Sequence, residues 1–168
     1  MNILITGTPG TGKTFFAKEL SKKLGLELVD VTALVKEKKI YKKQGRELEV
    51  DLKKLKKELE KKDDCIIESH LLCEFSLGKE VIVLRCNPKE LEKRLNARNY
   101  SKKKVLDNVL LEALDYCLIK SEENYATVRQ LDNTRGRALA NFLNKKFDSN
   151  VRWLNEETIK KHSRLQKA

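Results

Sequence analysis

Two prolines and seven glycines in 168 residues leave little room for linkers or low-complexity stretches, and neither these nor internal repeats are visible. No apolar run approaches the ~20 residues that a spanning helix needs, so no membrane partner is expected. Met1 to Ile5 is apolar but lacks the charged leader, full hydrophobic stretch and cleavage site of a signal peptide. The expectation is a soluble, intracellular protein. The four cysteines (Cys65, Cys73, Cys86 and Cys117) show no C-x-x-C spacing, and only two histidines are at hand to complete a metal site, which argues against zinc. Cys65 and Cys86 sit in apolar runs, where a free thiol behaves as a small hydrophobe. The length suits one sizeable core and is short for two, so residues 1–168 are read as a single domain.

Lysine is what the chain has in excess. The formal charge is +11, which points to polyanions such as RNA without naming one. Much of it lies in Lys–Glu mixtures such as Lys53 to Lys62, which also suit the solvated helix faces of proteins from hot environments. Composition leaves both explanations open.

Ile3 to Ile5, Leu26 to Val29, Cys65 to Ile67, Val81 to Leu84 and a weaker run at Thr127 and Val128 near Leu131 are strand candidates. Between them lie helical patterns. Phe15, Phe16, Leu20 and Leu24 recur at roughly helical spacing before Gly25, and Leu52, Leu55 and Leu59 stripe a Lys–Glu helix. Asn87-Pro88 signals an N-cap and first helical position, with Leu91 and Leu95 facing inward. Paired apolar residues from Val105 to Leu118 predict one long buried helix, and Ala138, Leu139, Phe142 and Leu143 a final one. Asp30 to Val50 reads as a polar excursion that adds little to the core. With no hairpin signal between strands, the pattern predicts an α/β fold, a five-stranded parallel sheet flanked by helices. Ligands then bind at the strands' carboxyl ends.

Gly7-Thr8-Pro9-Gly10-Thr11-Gly12-Lys13-Thr14 satisfies G-x-x-x-x-G-K-[ST] between an apolar strand and a helix, the context that gives the pattern meaning. The loop's N–H groups and the helix's positive end suit phosphate oxygens. Lys13 suits the β and γ phosphates of ATP, and the Thr14 hydroxyl suits Mg²⁺. Glu68, ending the Cys65 to Ile67 run, is the candidate second metal ligand. His70 beside it is placed to orient a water or contact the γ-phosphate. Arg94 and Arg98, four apart on one helix face, suit the charge of a transferring phosphoryl group. The polar stretch after Arg98 reads as a small lid.

These residues resemble the adenylate kinase isoenzyme 6 family, small ATPases of archaea and eukaryotes related to nucleoside monophosphate (NMP) kinases. The resemblance is carried by GTPGTGKT, by Glu68-Ser69-His70 where the family has D-x-H, and by VLRCNPKELEKRLNARNYSKKKVLDN. It spans about the first four fifths of the chain. It implies a P-loop NTPase fold of the NMP-kinase type, with an NMP-binding segment at about 30–50 and a short lid at about 97–107. It further implies Mg²⁺-dependent adenylate kinase and ATPase activity. ATP would be held by Gly10, Gly12, Lys13, Thr14, Phe15, Arg98 and Arg135, and AMP or another NMP by the segment of Asp30, Lys36 and Val50. Partners implied are a platform ribosomal protein of the small subunit and pre-rRNA, in small-subunit maturation, and the location a cytoplasm of archaeal type. Two positions depart from the family: Glu68 is one methylene longer than aspartate, and Lys36 stands where an arginine is often found.

Overall fold

The structure, a computed structural model, describes residues 2–44 and 47–153. In chain order its elements are β1 (Ile3–Thr6), α1 (Lys13–Leu24), β2 (Glu27–Asp30), α2 (Val31–Glu37), β3 (Tyr41–Gln44), β4 (Glu47–Val50), α3 (Leu52–Leu59), β5 (Cys65–Glu68), β6 (Glu80–Arg85), α4 (Pro88–Asn96), α5 (Lys102–Ala113), α6 (Tyr116–Asn124), β7 (Thr127–Asp132) and α7 (Ala138–Leu143). A 3₁₀ turn, His70–Glu74, follows β5. Five strands form a parallel sheet in the order β2-β5-β1-β6-β7, as the alternation of strands and helices predicts. Because β1 lies between β5 and β6, the chain leaving β1 enters a crevice between two oppositely wound halves.

Successive strand residues face opposite sides of the sheet, and both sides are covered. Ile5, Ile66, Ile82 and Leu84 pack with Phe16 and Leu20 of α1 and Ala138 of α7. Leu4, Ile67 and Val83 pack on the other side with Leu55 and Leu59 of α3 and Leu118 of α6. A third cluster (Cys86, Leu91, Leu95, Val105 and Val109) holds α4 against α5. All four cysteines are free and buried. Local signals set the helix ends: Gly25 in the left-handed region closes α1 with its N–H on Ser21 O at 2.8 Å, and the Asn87 side chain accepts from Lys89 N ahead of α4.

Two expectations are corrected. The excursion at 30–50 is not merely polar: the Asp30 side chain caps α2, and β3 and β4 pair as an antiparallel hairpin from Tyr41↔Val50 to Gln44↔Glu47. Five of its apolar residues meet the core, with Val31 and Ile40 buried in it and Leu34, Val35 and Val50 against it. The link at 45–46 lies outside the described residues. The long helix expected over 105–118 is two helices, broken where Asp115 takes a left-handed conformation (φ 56°). Paired apolar residues continue across the break, so periodicity hides it. Asp115 tolerates this backbone, and its buried carboxylate accepts from Arg85 Nη2 at 2.5 Å. Of the segment expected as a lid, residues from Lys102 onward belong to α5, and Val105 is buried. Among the described residues, no helix is long and apolar enough to cross a membrane.

Candidate nucleotide site

The turn after β1 is closed around atoms that leave no space for side chains. A Cβ at Gly7 would stand 2.4 Å from Leu84 O at the end of β6. Gly12 adopts φ 99° at the N-cap of α1 and offers no capping side chain, so the first N–H groups of the helix are left for an anion. Glycine is the residue that holds such a backbone without strain.

Lys13 is buried, with its ammonium donating to Thr8 O at 3.1 Å. Burial lowers its pKa, and the Glu68 carboxylate offsets only part of that. A cation so placed lacks a full counter-charge until an anion arrives. Thr14 Oγ1 donates to Glu68 Oε1 at 3.0 Å. Register explains the meeting: Glu68 pairs with Ile5 on β1 and with Asp30 on β2, so the strand ends deliver it beside the P-loop. The donor set, a hydroxyl and a carboxylate, consists of hard oxygens and fits Mg²⁺, which keeps water and phosphate as its remaining ligands.

These groups line a cleft of about 390 Å³. Its wall includes Gly10, Lys13, Thr14, Glu68, His70 and Arg98, together with Val50 from the excursion. Among the described residues no carboxylate pairs with the Arg98 guanidinium. His70 stands at the mouth. Crowding there desolvates its ring, and Lys13 and Lys104 add positive charge, so its pKa is pushed down to about 4 although the residue remains exposed.

Other expected positions lie apart from the cleft. Arg94 donates through Nε to Glu90 Oε1 at 3.1 Å and through Nη2 to Asn133 O and Thr134 O at 3.0 and 2.8 Å. Those bonds tie α4 to the loop after β7, which carries the exposed Arg135. Phe15 is 69% exposed and lies outside the cleft wall, as does exposed Lys36 on α2. Asp30 caps α2, its Oδ1 accepting from Ala33 N at 2.9 Å.

Tyr100 and Lys104 were missed. Tyr100 lines the cleft, and the Lys104 ammonium sits over its ring at 4.2 Å. Missed too was a buried set of charges behind the P-loop: Arg85, Glu112 and Asp115, all at most 3% exposed. An arginine directly after the apolar run Val81 to Leu84 was the available signal, since a charge inside a buried strand requires a partner.

The low pKa of His70 gives a direct test. Its imidazole is neutral at pH 7 and protonates near pH 4. The proton resonance lost in His70→Gln should therefore titrate near 4 in the free protein, and a midpoint at 6.5 would contradict the crowding described. Between these values the unfolded chain binds a proton that the folded one does not, so this group lowers stability as pH falls through that window.

A fold and site of this kind define a P-loop nucleotide-binding domain, and the family model described as "AAA domain" matches residues 3–115. Two archaeal proteins, each described as "Putative adenylate kinase", are similar over most of their length. The one from Methanocaldococcus jannaschii is 39% identical over 140 residues, covering 80% of this chain and 77% of its own. That from Pyrococcus furiosus is 39% identical over 137 residues, covering 80% and 76%. The chain belongs to the family of these archaeal NMP-kinase-like proteins. Among solved structures, a shikimate kinase from Bacteroides thetaiotaomicron shares the fold with a TM-score of 0.58 at 16% identity, covering 100% of this chain and 99% of that one. Another, from Acinetobacter baumannii in complex with shikimate, has a TM-score of 0.53 at 16% identity, over 99% and 93%. At that identity the likeness concerns fold alone.

Proposed function

We propose that the protein is an adenylate kinase-like phosphotransferase, moving the γ-phosphoryl of Mg-ATP to AMP or another NMP and hydrolysing ATP when water takes the acceptor's place. The observation that carries this reading is the Thr14–Glu68 pair beside the buried Lys13, at the head of a cleft whose far wall is the excursion at 30–50. The names given to the archaeal relatives support the same reading.

In this reaction an α-phosphate oxygen of the acceptor forms the new P–O bond while the bond to the departing ADP oxygen breaks. No protein nucleophile is needed. Lys13 holds the β and γ oxygens, and Arg98 is the cation available to the transferring group from the cleft wall. Arg135 contacts ATP from the loop that Arg94 ties to α4. A bound Mg²⁺, with Thr14 and Glu68 as its protein oxygens, would neutralise charge on the β and γ phosphates. Neutral His70 offers a lone pair to a water, which supports the accompanying ATPase activity. The test is ADP formation from Mg-ATP alone and with each NMP in turn. Transfer to AMP supports the kinase; slow hydrolysis indifferent to every NMP overturns it.

A second reading, compatible with the first, is that the ATP cycle serves late maturation of the small ribosomal subunit, through a platform ribosomal protein and pre-rRNA. The charge of +11 supports a polyanionic setting. A pull-down in which no ribosomal partner responds to nucleotide would count against it.

A further inference from the structure

Thr8 of the P-loop is held from two sides. Its carbonyl accepts from Lys13 Nζ at 3.1 Å and from Thr11 Oγ1 at 3.0 Å. Its hydroxyl turns the other way and donates to Glu112 Oε2 at 2.5 Å, with both residues buried. The second oxygen of that carboxylate, Oε1, accepts from Arg85 Nε at 2.9 Å, from Cys86 N at 3.1 Å and from the indole Nε1 of Trp153 at 3.2 Å. One side chain thus joins the phosphate loop, the end of β6 and the segment that follows α7. That segment is held at two further points: Val151 O accepts from Arg85 Nη1 at 2.9 Å, and Trp153 N donates to Asp115 Oδ1 at 3.3 Å.

We propose that Glu112 is a positioning residue of the nucleotide site, setting the Thr8 turn and linking its state to the Trp153 anchor. This inference rests on the nucleotide-site reading above. The physical route is short. Phosphate oxygens compete with Thr8 O for the Lys13 ammonium, which takes one donor from that carbonyl and lets the turn adjust. The adjustment is transmitted through the Thr8 hydroxyl, because Glu112 is fixed by its other donors and shares Oε1 with the indole. In the absence of the hydroxyl, one carboxylate oxygen loses its donor and the turn loses its tether.

Trp153 is the only tryptophan, so its fluorescence reports this end of the chain alone. Mg-ATP binding is expected to change Trp153 emission in the wild type. In Thr8→Val, which keeps the side-chain shape, that change should disappear. The KM for ATP should rise about tenfold, the scale of one buried hydrogen bond, with kcat nearly unchanged. Thr8→Ser should restore both readouts, which a general loss of packing would not allow. If Thr8→Val fails to fold, Trp153→Phe serves instead: it keeps an aromatic ring without the indole N–H, and a raised KM for ATP is expected. Wild-type ATP binding with an unchanged KM in whichever of these variants folds would overturn the positioning role alone. A wild type that binds no ATP by calorimetry would overturn the nucleotide site as well.

Discussion

Lys13→Met is expected to lower ATP turnover by at least about a hundredfold, the scale seen when a charge stabiliser is removed from a transition state. It is also expected to leave the free protein no less stable than the wild type. The two outcomes have one cause. Burial lowers the Lys13 pKa, so holding its ammonium costs more in the folded chain than in the unfolded one. The penalty is full wherever pH lies below the lowered folded value. It fades as pH rises from the folded value towards the unfolded one and the ammonium loses its proton. Methionine retains most of the apolar stem and removes the charge, at the expense of the bond to Thr8 O. Thermal melting without nucleotide, alongside ADP release with Mg-ATP, separates the effects. A variant that melts far below wild type would show that Lys13 supports the fold, and one that keeps its turnover would remove it from the chemistry.

The position of Lys13 was legible because the motif specifies backbone as well as side chain. Strand, glycine turn and helix are adjacent in sequence, and Glu68 follows from strand register once a parallel sheet is accepted. Helix ends written in local chemistry, such as Gly25 and Asn87-Pro88, were legible for the same reason. What escaped depends on contacts between distant residues. The α5–α6 break depends on Asp115 meeting Arg85, thirty positions earlier. Arg94 and Arg98 share a helix face in the sequence pattern, yet Arg94 turns to carbonyls near position 133 while Arg98 reaches the cleft. The excursion was misjudged because lysine dominates its composition, whereas burial depends on Val31 and Ile40. Phe15 belongs to the apolar pattern of α1 yet points to solvent, since a helix stripe read from spacing is wider than the face that packs.

Arg85→Met is expected to be the most destabilising of these substitutions, because it strands two carboxylates in the interior. Burial works against the guanidinium charge, but Glu112 and Asp115 outweigh it, and the Arg85 pKa is raised. The pairing distances are 2.9 Å to Glu112 Oε1 and 2.5 Å to Asp115 Oδ1, with each partner almost fully buried. Removing one member of a buried ion cluster typically costs about 3–5 kcal/mol, most of it from the charges left behind. At about 2–4 °C per kcal/mol for a chain of this size, melting should fall by roughly 6–20 °C. A raised arginine pKa means that the stabilising charge is fully present below the already high unfolded value, so the deficit should be equal at pH 7 and pH 9. Combining Arg85→Met with Glu112→Gln and Asp115→Asn should recover a large part of the loss, since no formal charge is then left unpaired. If the single variant melted within about 2 °C of wild type, a shift worth roughly 1 kcal/mol or less, the cluster could not be a main support of the fold. If the triple variant melted no higher than the single one, lost packing rather than stranded charge would be the cause. Recovered stability without recovered ATP binding would separate the two duties of Glu112, holding the core together and holding Thr8 in place.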